Sequence, residues 1–329
     1  MTQVSKKKNT GILSRLLRTD EVSVFIPLLV IIIITTIFRP NFLTVQNFSA
    51  MFTQIPFIAV VALGASVPLM TGNVDISTGR VAGFAGIIMS ALCVDAGWSA
   101  FPAIFVALIC CCLVGVFNGF LVVKMGVPDF VATMGTLYMV GGARYLFIKG
   151  YQLSLNTLEG FVLTDVFDRR YLGMPPHFWI MLVLFAVVFV IIKKTLWGRR
   201  ILACGDNREV AVLAGINATR MRMIAYVLAA LFSAIGGILL TLDVGIGLPE
   251  TGDGWEFRAI AGCVVGGVSL SGGKGSPLGV LIGVTLVFVA ENAIIFLGMP
   301  TTMRVAIQGA LMAAAVLFDI FRQSRKVPA

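Results

Sequence analysis

Apolar residues along this chain gather into long runs broken by charge, proline or clustered polar residues, near 22–38, 54–71, 81–94, 99–123, 128–148, 177–192, 224–242, 259–270, 276–297 and 303–319. A helix of about 20 such residues crosses the ~30 Å hydrocarbon core of a bilayer, and it satisfies its own backbone polar groups there. The pattern predicts an all-α polytopic membrane protein with about ten transmembrane helices between residues 22 and 319, a tail over 1–21 and another over 320–329. The run at 99–123 is long enough to tilt or to carry an extra turn, while 81–94 and 259–270 are unusually short.

Composition removes the soluble alternatives. The 329 residues are 58% hydrophobic and 12% charged, against about 25% charged in an ordinary globular domain. The net charge of +9, which in a soluble protein would raise nucleic-acid binding, reads here as loop charge. Lys and Arg concentrate in loops retained on the cytoplasmic side; with the N-terminus inside, inner segments, counting Arg80 and Lys124 among them, hold 18 of the 25. Both termini then lie inside, which an even number of spans requires. The first run follows Lys6, Lys7, Lys8, Arg15 and Arg18 as a signal peptide would, but ends at Phe38-Arg39-Pro40-Asn41-Phe42 with no small-residue cleavage site, so it is read as a retained span. The six cysteines show no metal or redox spacing and are read as packing residues.

Two loops are long enough to act. The outer loop 149–176 carries Tyr151, Gln152, Asn156, Glu159, Asp165, Asp168, Arg169 and Arg170 and is either a solvated connector or a surface for a partner. In the inner loop 193–222, Gly205 leads into Asp206 and Asn207, and Asp206 with Glu209 three residues on resembles a capping box. Gly215 suits the left-handed position where a helix stops, and Asn217 is placed to cap the next span. The spacing predicts a helix of about two turns, largely apolar and presenting Leu213, too short to be stable without something to pack against.

Glycines at Gly64, Gly115, Gly119, Gly141, Gly142, Gly236 and Gly237 are what close helix packing in lipid needs. Two glycine-rich segments also carry polar residues: Thr71 to Arg80, with Gly72, Asn73, Asp75, Ser77 and Gly79, and Gly266 to Gly275, with Gly267, Gly272 and Gly273. Each adjoins a short run. If spans 2–5 and 7–10 form two topologically inverted halves, the short runs hold equivalent positions, as in transport proteins. The likeness of Asp-Ile-Ser-Thr-Gly-Arg to Ser-Leu-Ser-Gly-Gly-Lys is read as convergent loop chemistry, since both segments fall inside. Neither is a phosphate loop, because Lys274 is followed by Gly275. Polar residues inside spans are functional candidates: Gln54, Asn118, Glu291 and Asn292 join Asn73, Asp75 and Ser77 as a candidate translocation path, and Gln308 lies in the last run. Glu291 is either a proton or cation site or a hydrogen-bonded carboxyl. His177, the single histidine, has no metal-ligand neighbours in the sequence.

Phe38-Arg39-Pro40-Asn41-Phe42-Leu43-Thr44-Val45-Gln46-Asn47, the segment Gly72 to Gly79, Phe130-Val131-Ala132-Thr133-Met134-Gly135-Thr136-Leu137, Gly205-Asp206-Asn207, and Glu256-Phe257-Arg258-Ala259-Ile260-Ala261 running into Gly266 to Gly275 together resemble the ribose-type permeases of bacterial ABC importers, over roughly residues 38 to 320. The resemblance implies a non-catalytic inner-membrane subunit that binds no cofactor or metal. It pairs with a second permease chain, identical or not, with a separate ATPase that holds ATP and magnesium, and with a periplasmic solute-binding protein. It implies that Asp206 to Asn217 docks onto the ATPase. Arg80 departs from the family, which commonly has a small residue there. Sister permeases carry ribose, xylose, galactose, rhamnose, polyols and a furanosyl autoinducer, and nothing in the chain ranks these. The competing reading is a secondary transporter coupled to protons through Glu291; an embedded enzyme lacks HExxH, a Ser/His/Asp set or paired carboxylates.

Overall fold

The computed structural model describes residues 20–148, 152–158 and 162–300, with isolated helical positions between 303 and 317. The tails, Tyr151, Glu159, Gln308 and most of the run 303–319 lie outside the described residues.

The described chain is helical almost throughout. Helix α1 (Asp20–Phe38) is followed by a 3-10 turn (Pro40–Leu43), and α2 (Val45–Met70) begins where the Thr44 hydroxyl accepts from the Asn47 amide at 3.3 Å. An extended stretch over 71–77 precedes α3 (Thr78–Val94). Helix α4 (Ala100–Gly119) continues without a break into a π turn, Phe120–Lys124, which is the extra turn the long run allowed. Helix α5 (Asp129–Leu146) leads to a two-residue strand, β1 (Leu153–Ser154), and a short helix, α6 (Val162–Asp168). Then come α7 (Pro176–Lys194), α8 (Leu196–Asp206), α9 (Arg208–Leu213) and α10 (Ala218–Val244). Strand β2 (Ile246–Gly247) pairs antiparallel with β1, and α11 (Trp255–Val265) and α12 (Pro277–Phe296) follow.

Among the described residues, five helices are long and apolar enough to cross a membrane: α2, α4 with its π turn, α7, α10 and α12. Helix α11, in the run expected to span 259–270, has 11 residues and so reaches only about 16 Å.

Helix α10 is the centre, packing along α2, α3 and α4. Glycine makes those approaches possible: a Cβ on Gly237 would strike the Ala82 carbonyl, and one on Gly115 would sit 2.7 Å from the Tyr226 carbonyl oxygen. Helix α2 is buried at every position from Ile55 to Met70, which is why its sequence is apolar all round. By contrast α4 buries Ala103, Ala107, Cys111 and Gly115 and exposes Phe101, Phe105, Ile109 and Leu113. Small residues at four-residue spacing face the protein, and large ones at the same spacing face outward.

Candidate functional site

At one end of the bundle α8 and α9 form a shelf. The sequence reading placed the helix start at Asp206, but Asp206 is the last residue of α8, and Asn207 is the cap, its side chain accepting from the amides of Glu209 at 3.0 Å and Val210 at 3.1 Å. An acceptor is needed there whichever residue supplies it, and the unforeseen α8 occupies the position before it. The stop is as expected: Gly215 has φ +78°, its amide donates to Val212 and that of Ile216 to Ala211, the bonding of a Schellman motif. Asn217 caps α10 through the Arg220 amide at 2.9 Å. Helix α9 buries Ala211 and leaves Val210, Val212 and Leu213 exposed, Leu213 by 87%.

Beneath the shelf the glycine segments meet. A Cβ on Gly205 would strike the Met70 carbonyl and the Gly273 amide, and the Gly273 amide donates to that carbonyl at 3.0 Å. Gly72 lies against the Ser271 carbonyl, Gly272 against Gly72 and Gly205, and Gly275 against the Met70 side chain. Gly266 packs on the Gly279 backbone, and Gly267 takes φ +88° just after α11 ends. The two segments read as merely alike are therefore in contact.

From there the 71–77 stretch runs into the bundle and is tied down on every side. The Asp75 carboxylate accepts from the Ser77 amide at 2.9 Å and hydroxyl at 2.6 Å, and Asn118 donates to the Ser77 hydroxyl at 2.9 Å while accepting from Thr136 at 2.6 Å. Asp129 accepts from the Val74 amide at 2.7 Å, and Arg222 donates to Asn73 at 2.7 Å. Asp75, Ser77 and Asn118 thus form one network and Asn73 with Asp129 and Arg222 a second beside it, and the four candidates are all buried. Asp129, Thr136 and Arg222 were missed because a threonine in an apolar run, or a charge at a span end, gives no signal by itself.

The remaining candidates group elsewhere. Gln54, Glu291 and Asn292, with Asn47, line a cavity of about 210 Å³ between α2 and α12. Asn292 donates to Asn47 at 3.0 Å, and the Glu291 carboxylate lies 3.2 Å from the Arg258 guanidinium. Glu291 is therefore half of a buried ion pair. His177 is fully buried, its Nε2 donating to the Thr53 carbonyl at 2.9 Å and its Nδ1 3.3 Å from Asp243. Asp243 faces a polar cavity of about 440 Å³ that Asn156, Asp165 and Asp168 of the 149–176 loop also line.

A third constellation joins three charged side chains from distant parts of the chain. Arg80, counted in an inner segment, forms an ion pair with Asp253, and Arg144 donates to the same carboxylate oxygen at 2.8 Å. The first turns of α3 and α11 meet there, and a Cβ on Gly79 would strike the Glu256 carboxylate and the Gly252 carbonyl. All six cysteines are free, with Cys111 and Cys263 reaching the Val81 and Ala62 carbonyls.

The family described as "Branched-chain amino acid transport system / permease component" matches residues 47–316. The chain is similar to the ribose import permease protein RbsC of Bacillus subtilis (strain 168), 32% identical over 297 residues, 90% of this chain and 91% of that protein. It is similar to the galactose/methyl galactoside import permease protein MglC of Escherichia coli (strain K12), 31% identical over 93% of this chain and 96% of that one. The L-arabinose transport system permease protein AraH of the same strain is 31% identical, with 93% and 92% covered. No solved structure matches the chain.

Proposed function

The chain belongs to the permease-component family of branched-chain amino acid transport systems, and from that premise we propose that it forms the path by which an ATP-binding-cassette importer moves a monosaccharide or related small polar solute. It is a multi-pass, non-catalytic membrane subunit, as the import permeases it is similar to are. The proposal extends to ten spans in two inverted halves, both termini on the cytoplasmic face of a bacterial inner membrane, a second permease chain, a solute-binding protein outside, and a separate ATPase that carries the ATP and magnesium, this chain binding neither. The contact between the starts of α3 and α11 fits the inverted halves, in which two such helices re-enter and build a path at mid-membrane as in other transporters.

The observation that carries the reading is α9: six residues, capped at both ends, with Val210, Val212 and Leu213 held out from the shelf. A helix so short is not stable by itself, and its exposed apolar residues suit the groove of a partner. We assign Gly205, Asp206, Asn207, Glu209, Leu213, Gly215 and Asn217 to this docking element. A displacement there passes through packed atoms, from Gly205 to the end of α2 and the Gly272–Gly273 turn, then along 71–77 to the start of α3 against Glu256. The Asp75 network is the tie in this linkage, and the cavity of Gln54, Glu291 and Asn292 is assigned to the solute path beside α11. Glu291 is held by Arg258, so nothing favours it as a proton carrier.

Leu213→Glu or Gly215→Pro is expected to cut solute uptake by cells at least about tenfold, with the protein still inserted at its normal level. Uptake unchanged in both variants would sink the docking role.

A further inference from the structure

The Arg80–Asp253 pair lies where a charge has no ordinary reason to be. Arg80 passes 3.7 Å from the Cβ position of Gly141, five residues and so about 7 Å below the end of α5 at Leu146. Within the bundle's depth a charged group facing hydrocarbon is costly and turns instead to partners or water, yet the Arg80 and Asp253 side chains stay 25% and 36% exposed. Arg80 also stands in the first turn of α3, where the helix dipole disfavours a cation, so it does not serve the helix.

What surrounds the pair is built. Arg144, wholly buried, donates to the Thr251 carbonyl and to Asp253, each at 2.8 Å, and so fixes the Asp253 carboxylate from behind. Glu256 is 3% exposed and lies against the backbone of Gly79, next to Arg80, with its Oε2 lacking a hydrogen-bond partner among the described residues. A buried acceptor left unpaired costs free energy. The space alongside is open: nothing lies within 4 Å of a Cβ on Gly142, and Tyr138 and Tyr145, on the same side of α5, are 71% and 54% exposed.

We propose that Arg80 and Asp253, held by Arg144 and beside the Glu256 carboxylate, form a station on the translocation path that binds a neutral polyhydroxylated solute. Two guanidiniums face two carboxylates, so the cluster has no preference for an ion. A hydroxyl both donates and accepts, and it can bridge a guanidinium and a carboxylate without separating them. Exposed tyrosine rings supply the apolar lining against which a sugar ring lies. The proposal rests on the reading of this chain as a solute path and adds the residues that select the solute.

The test uses the complete importer, with its ATPase and binding protein, in proteoliposomes offered labelled ribose, arabinose, galactose and leucine. Arg80→Gln and Asp253→Asn are each expected to lower sugar uptake at least about tenfold, with binding-protein-stimulated ATP hydrolysis retained. The charge swap R80D/D253R restores an ion pair and is expected to leave uptake low. Full recovery in the swap would show a structural pair only and overturn the station, as would unchanged uptake in both single variants. If the charge variants do not insert, Tyr138→Ala at its exposed site is expected to lose at least about fivefold, and unchanged uptake there counts against the station. Sugar uptake by the wild type with none of the variants affected ends the station and leaves the transport reading standing. Wild-type vesicles that take up no sugar, or only leucine, end both.

Discussion

Asn118 stands at the centre of the buried polar network, donating to Ser77 and accepting from Thr136. Replacing it with Ala strips partners from two buried hydroxyls. The Ser77 hydroxyl keeps Asp75 and the Thr136 hydroxyl keeps the Ala132 carbonyl, so the loss is that of two interhelical hydrogen bonds, each contributing about 0.6–1.7 kcal/mol in membranes. Asn118→Ala is expected to lower stability by about 1–3 kcal/mol, read as a lower melting midpoint of the detergent-purified protein; an unchanged midpoint would count against the network as a tie. At this scale the sequence was informative where a polar side chain interrupts an apolar run, as at Asp75, Asn118 and Glu291. It was silent where the partner is a long side chain from a span end: Arg222 and Arg144 were counted as loop charges, but both reach inward, to Asn73 and Asp253.

Among the elements, the legible ones announce themselves by period. The small-and-large alternation of faces on α4, and the uniform burial of α2, follow directly from their residues. Helix α8 was read as loop because Arg199, Arg200 and Asp206 break its hydropathy, while the buried face is only Gly198, Ile201 and Cys204. The same contrast between contact and space separates two glycines. Gly237→Val drives side-chain carbon into the Ala82 backbone where α3 crosses α10. Overpacking of this kind costs about 1–3 kcal/mol or more, and it is expected to abolish both folded yield and uptake. Gly142→Ala, at a position with open space around it, is expected to leave folded yield unchanged, measured by size-exclusion chromatography. Equal yields for the two variants would contradict the close approach.

The whole molecule has two ends that a labelling experiment separates. Leu213 on α9 is 87% exposed and Leu172, before α7, is 92% exposed, and α7 with α8 runs between them. In the proposed orientation, in a background without native cysteines, a membrane-impermeant maleimide added to intact spheroplasts is expected to label Leu172→Cys and spare Leu213→Cys, with inverted vesicles giving the opposite. Labelling of both from one side would refute it. The number of apolar runs gave the class of molecule from sequence alone. The meeting of the first turns of α3 and α11 was only hinted at by their short runs, because it is decided by long-range packing.

The Arg80–Asp253 pair joins residues 173 apart in sequence, and the Arg144–Asp253 bond spans 109. At about 5–20 residues per second, a ribosome has placed Arg80 in the nascent chain for roughly 10–35 s before their common carboxylate is made. During biogenesis the early helices therefore carry two guanidiniums without the acid they share, and a chain interrupted before Asp253 stays that way. The cluster is thus a contact that closes only late in synthesis, after the two helices that supply its guanidiniums have been made.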